Sequence, residues 1–372
     1  MFQQSVKFGR ILGIPVGVHY SWFIVFVLVT MSLVAQFSVA HPHWSPGEQY
    51  GVGLATSLLF FVSVILHELG HSVVALRKGI PVRSITLFVF GGVAQIEREP
   101  SRPRDEFHIA VAGPAVSLLL AGFFYGLSLQ VRAASEPLGA LTGWLGQINF
   151  ILAAFNLIPG FPLDGGRIFR AVMWKYTGSF DRGTRIASTT GQGIAYLFIL
   201  GGVWMAFSEN FVSGLWLGFI GWFLLNAAQA TVSQLDLRRV LAGLRAGDVM
   251  TRDCLVMPSD VSVAELVEEQ LLRTGRRCAL VTEDDRLVGL VTVHQIRQVP
   301  RDRWPHTQLR SIAIPAAELH AVPPEMELAD VLALMDDYRI NQVPVIINGR
   351  IIGLLSREEM MHILRTRLEL GV

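Results

Sequence analysis

Two histidines four residues apart with a glutamate beside the first, His67-Glu68-Leu69-Gly70-His71, carry the most chemistry in this sequence. On a helix His67 and His71 lie one turn apart on one face, so both imidazoles can bind a single metal ion while Glu68 points into the same site. Zinc suits the pattern: it brings the pKa of a bound water to about 7 and polarises a carbonyl, which is what hydrolysis of a peptide bond at neutral pH requires. Glu68 is then the general base, taking the water proton and returning it to the leaving amine. Such a site needs a third protein ligand beside its open position. The candidate is Asp164, in Asn156-Leu157-Ile158-Pro159-Gly160-Phe161-Pro162-Leu163-Asp164-Gly165-Gly166-Arg167, where two prolines and three glycines break a helix.

The elements that must position these residues are apolar. The chain has 372 residues, 51% of them hydrophobic and 16% charged, with a mean hydropathy of +0.45. That composition excludes an ordinary soluble enzyme and predicts a polytopic α-helical membrane protein. A net charge of +1 gives no reason to expect a nucleic-acid partner. A helix needs about 20 apolar residues to cross a hydrocarbon core, and six stretches qualify: 14–37, 50–76, 107–131, 138–158, 191–207 and 214–232. The first is expected to be retained rather than cleaved as a signal peptide. His67 and His71 fall inside the second. Ionisable groups there cost roughly 2.5–3.5 kcal/mol each on insertion scales and are usually kept for function.

Orientation follows from the Lys and Arg of the short connections. Lys7 and Arg10 precede the first span, Arg77, Lys78, Arg83, Arg98, Arg102 and Arg104 follow the second, Arg167, Arg170, Lys175, Arg182 and Arg185 follow the fourth, and Arg238 and Arg239 follow the sixth. Connections 41–49 and 208–213 have neither residue type. Both termini are therefore expected in the cytoplasm, with the histidines toward the cytoplasmic end of their helix and Asp164 emerging at similar depth. Irregular backbone at membrane depth belongs where it lines a wet cavity, which places the broken helix at the site.

A helical substrate hides its peptide bonds, so it must unwind before hydrolysis. Ser84-Ile85-Thr86-Leu87-Phe88-Val89-Phe90-Gly91-Gly92-Val93-Ala94-Gln95-Ile96 has the β-branched and aromatic residues of a hairpin around Gly91-Gly92. An exposed strand there could receive an extended substrate by strand addition; the other reading is a re-entrant loop packed over the site. His19, His41, His43 and His108 read as interfacial. Gly201, Gly202, Gly214, Gly218 and Gly221 read as helix-packing positions, with a lateral gate as the alternative. Cys254 and Cys278 read as structural or incidental thiols.

The two motifs together resemble the site-2 protease family of intramembrane zinc metalloproteases, and Ala112-Gly113-Pro114-Ala115 in the third span is similar to that family's small-residue packing stretch. The resemblance implies a zinc endopeptidase cleaving transmembrane segments of substrate proteins at the bilayer, with His67, His71 and Asp164 on zinc, Glu68 as base and Asn156 near the reacting carbonyl. An amide such as Asn156 can donate to the oxyanion or hold the extended substrate. Anti-sigma factors or membrane-tethered regulators are the substrates that the resemblance implies.

Past the last span the composition becomes that of a soluble α/β module. Leu287-Val288-Gly289-Leu290-Val291-Thr292 recurs as Ile351-Ile352-Gly353-Leu354-Leu355-Ser356, each copy after an apolar strand and an amphipathic helix. The repeat resembles a tandem of CBS domains, the cystathionine-β-synthase type of regulatory module. The resulting division is a transmembrane metalloprotease domain at 1–232, a linker at 233–247 and CBS repeats at 248–302 and 303–372. Such pairs bind adenine nucleotides of the ATP or AMP type and pair into dimers, which makes Thr292, Ser356 and Glu359 the candidate nucleotide contacts. Where the family pattern has a ribose-binding Asp, this chain has Gln295 and Glu359, so a structural or homodimerising role stands beside nucleotide sensing. From another functional class, the rival reading is a catalytically silent membrane receptor or transport regulator. It would usually lack one of the three ligands or the base, and all four are present here.

Overall fold

The computed structural model describes residues 5–89, 91–208, 210–241, 243–252, 255–284, 286–338, 340–347 and 350–370. Phe90 and Cys254 lie outside them. The chain forms two compact units, Met1–Ser233 and Gln234–Val372.

The first unit contains strands β1 (Ser5–Ile11) and β2 (Ile14–His19), helices α1 (Tyr20–Ala40) and α2 (Pro46–Arg77), strands β3 (Val82–Phe88) and β4 (Gly91–Ile96), and helices α3 (Pro103–Val131), α4 (Glu136–Asn156), α5 (Asp164–Thr177), α6 (Phe180–Ser208) and α7 (Phe211–Leu241). Among the described residues six helices, all but α5, are long and apolar enough to cross a membrane. Their starts have local causes. Ser45 and Glu48 form a capping box before α2, which has Pro at its first turn. α5 begins directly after the proline-broken stretch and ends at Gly178, whose positive φ closes the helix.

The first span begins at Tyr20, six residues later than its hydropathy predicts. Residues 14–19 are apolar because they form β2, whose Val16 and Val18 alternate into a buried face, and His19 then caps α1 by accepting from the Ser21 amide at 3.3 Å. The expected hairpin is consequently half of a four-stranded sheet in the order β1-β2-β3-β4. β2 and β3 are parallel, while β1–β2 and β3–β4 are antiparallel. Ile14, Val16 and Ile85 pack on Leu69 of α2, and Val18 and Leu87 pack on Phe61 and Val64. The sheet therefore lies along the same helix that carries His67 and His71. β4 is an edge strand; β3 is interior, with Ile85 fully buried.

Helices α6 and α7 meet at glycines. A Cβ on Gly202 would come within 2.5 Å of the Gly218 amide nitrogen, and one on Gly214 within 2.3 Å of the Ala206 nitrogen. Close helix packing is what these positions provide. Trp204, Trp216 and Trp222 on the same helices are exposed. α7 stays helical to Leu241, through most of the stretch expected to be a linker.

In the second unit a four-stranded sheet includes Val256–Pro258, Cys278–Glu283 and Arg286–Thr292, and a two-stranded sheet holds Gln342–Ile347 and Arg350–Ser356. Helices Leu328–Asp337 and Arg357–Leu370 complete the second repeat. Each copy buries its own apolar core, centred on Val263, Leu266, Val281 and Val291 in one and on Val331, Met335, Val343 and Leu355 in the other.

Candidate metal centre and substrate cleft

His67 and His71 both project from α2 toward α3, where a buried partner fixes the far side of each ring. His71 Nδ1 donates to the Ile109 carbonyl at 2.7 Å, and His67 Nδ1 lies 2.9 Å from Ser117 Oγ. A carbonyl only accepts, so Nδ1 of His71 holds the ring proton and Nε2 presents its lone pair. The two Nε2 atoms sit 3.2 Å apart, and Asp164 Oδ2 is 3.1 Å from each. Tetrahedral ligands at the usual zinc distances of about 2.0–2.1 Å are separated by about 3.3 Å, so this triangle of two imidazoles and a carboxylate fits a zinc ion. It is a candidate metal-holding group among the described residues.

The approach of α3 depends on Gly113. A Cβ there would stand 2.1 Å from His71 Nε2 and 2.7 Å from His67 Nε2, so only glycine leaves room for the donors. Asp164 is delivered by the first turn of α5, and α5 is tied to α3 by a buried charge cluster. Glu106 of α3, fully buried, takes a hydrogen bond from Arg170 Nη2 and another from Arg167 Nε at 3.3 Å. The Arg170 guanidinium also lies over the Phe161 and Phe180 rings, at 5.0 and 4.6 Å from their centroids.

A cleft of about 520 Å³ opens on the donors and is lined by His67, Glu68, His71, Asp164, Asn156, Arg167 and β4 residues including Gly92 and Ala94. All the expected catalytic and metal residues thus share one cavity. The Ala94 amide donates to Glu68 Oε2 at 3.2 Å, and a Cβ on Gly92 would come within 2.6 Å of Glu68 Cγ. Among the described residues β4 pairs only with β3; the Ala94 amide points away from β3 toward the cleft, and the backbone of Gly92, two residues earlier in unbroken register, points the same way. Asn156 donates to the Leu152 carbonyl of its own helix at 3.0 Å. Ile109, Ser117 and Glu106 have no role in the sequence analysis, and Gly92 enters it only as a hairpin glycine. The small-residue run around Gly113 was visible as a packing stretch, but its place over the imidazoles was not.

His41 and His43, expected to be interfacial, both bind Glu136, at 2.7 and 2.8 Å. In the second unit a cleft of about 850 Å³ is lined by Thr292, Gln295, Ser356, Arg277, Arg297 and His320, among others. Glu359 does not line it. Its Oε2 accepts from the Ser356 amide and hydroxyl at 3.1 and 2.9 Å, and its Oε1 accepts from Thr251. The carboxylate expected to meet ligand hydroxyls is therefore engaged as a helix-capping group, as Gln295 is with Thr292.

Residues 55–138 and 129–200 match the family described as Peptidase family M50, and 246–302 and 310–366 match the CBS domain. A Synechocystis protein named as a zinc metalloprotease is 35% identical over 98% of this chain and 96% of its own length. A zinc metalloprotease of Methanocaldococcus jannaschii is 28% identical over 96% of this chain and 95% of its own. The solved site-2 protease of Methanocaldococcus jannaschii is 31% identical and covers 61% of this chain and 95% of that chain, with a TM-score of 0.43. The chain belongs to peptidase family M50, the zinc metalloproteases of the site-2 protease type, and is a multi-pass membrane protein with a pair of CBS domains.

Proposed function

We propose that this protein is an intramembrane zinc endopeptidase that cleaves transmembrane segments of substrate proteins, with His67, His71 and Asp164 as the zinc ligands and Glu68 as the general base. One observation carries the reading: the Glu68 carboxylate sits beside the metal donors and also accepts a hydrogen bond from the edge strand β4, so base, metal site and a strand-pairing surface meet in one cleft. Bound zinc supplies the Lewis acid that acidifies water and polarises the scissile carbonyl. Glu68 removes a proton from that water as its oxygen adds to the carbonyl carbon, then gives the proton to the nitrogen as the C–N bond breaks. β4 holds the unwound substrate as an added strand, supplying the backbone hydrogen bonds that the substrate helix gives up. Asn156 lies in the cleft within reach of an extended chain, and holding that chain is its proposed role.

Both termini are cytoplasmic in this reading, which rests on the Lys and Arg distribution. The CBS pair regulates cleavage by binding an adenine nucleotide in the larger cleft, where Arg277 and Arg297 offer charge to phosphates and Thr292 and Ser356 offer hydroxyls. The substrates proposed are single-pass membrane-tethered regulators such as anti-sigma factors. The test uses the purified full chain in detergent or vesicles with a transmembrane substrate whose helix is weakened by glycine or proline. Cleavage is expected to cease with chelator, to return with zinc, and to be absent in Glu68→Gln while zinc content is kept. Cleavage indifferent to chelator and to Glu68→Gln would overturn the reading, and cleavage unchanged across millimolar ATP and AMP would remove the nucleotide part alone.

A further inference from the structure

Arg167 stands apart from the other charged groups of the first unit. It lies three residues after Asp164 on α5, hence on the same helix face, and it lines the cleft with Glu68 and Asn156. Its Nε is held by Glu106, but its terminal Nη atoms make no hydrogen bond among the described residues. Glu106 is shared with Arg170, which lies against Phe161 and Phe180, so one carboxylate faces two guanidinia. Arg170 is 8% exposed at its side chain and Arg167 is 21% exposed. Of the two guanidinia, the one that lines the cleft is that of Arg167.

The chemistry of the site creates an anion where one is needed. When the water oxygen adds to the scissile carbonyl, the C=O electron pair moves onto the carbonyl oxygen, and the negative charge persists until the C–N bond breaks and Glu68 delivers its proton to the nitrogen. Asn156 also offers donors in the cleft; one of its two amide hydrogens goes to the Leu152 carbonyl and the other remains to hold the substrate chain. We propose that Arg167 is a catalytic residue that stabilises this oxyanion through its terminal guanidinium nitrogens, while Glu106 aims it through Nε. The proposal rests on the peptidase reading above. It explains why a guanidinium is used: a fork bound at Nε keeps its other donors pointed in one direction, which a flexible ammonium cannot do.

The experiment compares wild type, Arg167→Gln and Arg167→Lys as full chains, with zinc content measured on each. It reads kcat and KM on a transmembrane substrate, then affinity for two inhibitors of matched sequence, a phosphinic peptide mimicking the anionic tetrahedral centre and a hydroxamate that engages zinc without it. Removing an oxyanion donor lowers kcat by about 100-fold or more, so Arg167→Gln is expected to lose that factor with KM little changed. Phosphinate affinity should fall in parallel, hydroxamate affinity and zinc content should hold, and Arg167→Lys should be intermediate. A kcat loss under about tenfold with zinc retained, an equal loss of both inhibitors, or loss of zinc in both variants would each overturn the proposal and leave Arg167 as a tether for α5. A wild-type protein whose cleavage resists chelator would instead break the peptidase reading, which keeps the two failures distinct.

Discussion

Replacing Gly113 by alanine tests the geometry of the metal centre most directly. The added Cβ would stand 2.1 Å from His71 Nε2, 2.5 Å from His71 Cε1 and 2.7 Å from His67 Nε2. Ordinary contact begins at 3.4 Å, so the His71 ring must give way by more than an ångström. Neither ring has room to retreat, since the Ile109 carbonyl and Ser117 hold their Nδ1 atoms at 2.7 and 2.9 Å. Metal–ligand distances tolerate only about 0.2 Å, and disturbing the groups that orient a ligand typically weakens affinity 10–100-fold. Gly113→Ala should weaken zinc binding by at least that factor and abolish cleavage. The fold should persist, because glycine to alanine inside a helix adds about 0.5–1 kcal/mol of intrinsic helix stability. Zinc affinity is read by competition with a chelating dye, and folding by thermal unfolding. Gly122→Ala and Gly126→Ala are the controls on the same helix, with nothing within 4 Å of the added Cβ. Wild-type zinc affinity in Gly113→Ala would refute the reasoning.

Other consequences are open to measurement. Gly92→Ala would press a Cβ to 2.6 Å from Glu68 Cγ, so zinc content should stay at the wild-type level while kcat falls about 100-fold from a misplaced base; a kcat within threefold of wild type would show that Glu68 is not held by β4. Glu359→Ala removes the cap on Ser356 and the Thr251 contact. Hydrogen exchange in the second repeat should report a loss of about 0.5–2 kcal/mol with AMP affinity changed little, whereas a tenfold drop in AMP affinity with unchanged protection would make Glu359 a ligand contact.

Part of the site was legible because it is local. His67 and His71 need only the period of a helix to share a face, and Asp164 announces itself by the prolines and glycines that break the helix before it. The repeat in the second unit was legible because the same alternation occurs twice. The start of the first span was misplaced because an apolar strand and an apolar helix run together at residues 14–20, and hydropathy averages over both. The hairpin at 84–96 was visible, yet its partner strands lie some seventy residues earlier, so which strand would be the open edge could not be read. Glu359 is legible only by its place three residues after Ser356, a place that a capping glutamate and a ligand-binding one share.

The sequence by itself offered the candidate donors, the candidate base, six apolar stretches and the two kinds of module, since spacing along one helix and composition along one stretch are properties of neighbouring residues. Tertiary structure decided that α3 approaches closely enough for Gly113 to sit over both imidazoles, that Glu106 joins α3 to α5 and sets Asp164, and that β4 is the free edge at Glu68. Those outcomes depend on how closely separate elements can pack, which is set by side-chain volume and by the need to pair buried charge, and no single stretch of chain records either.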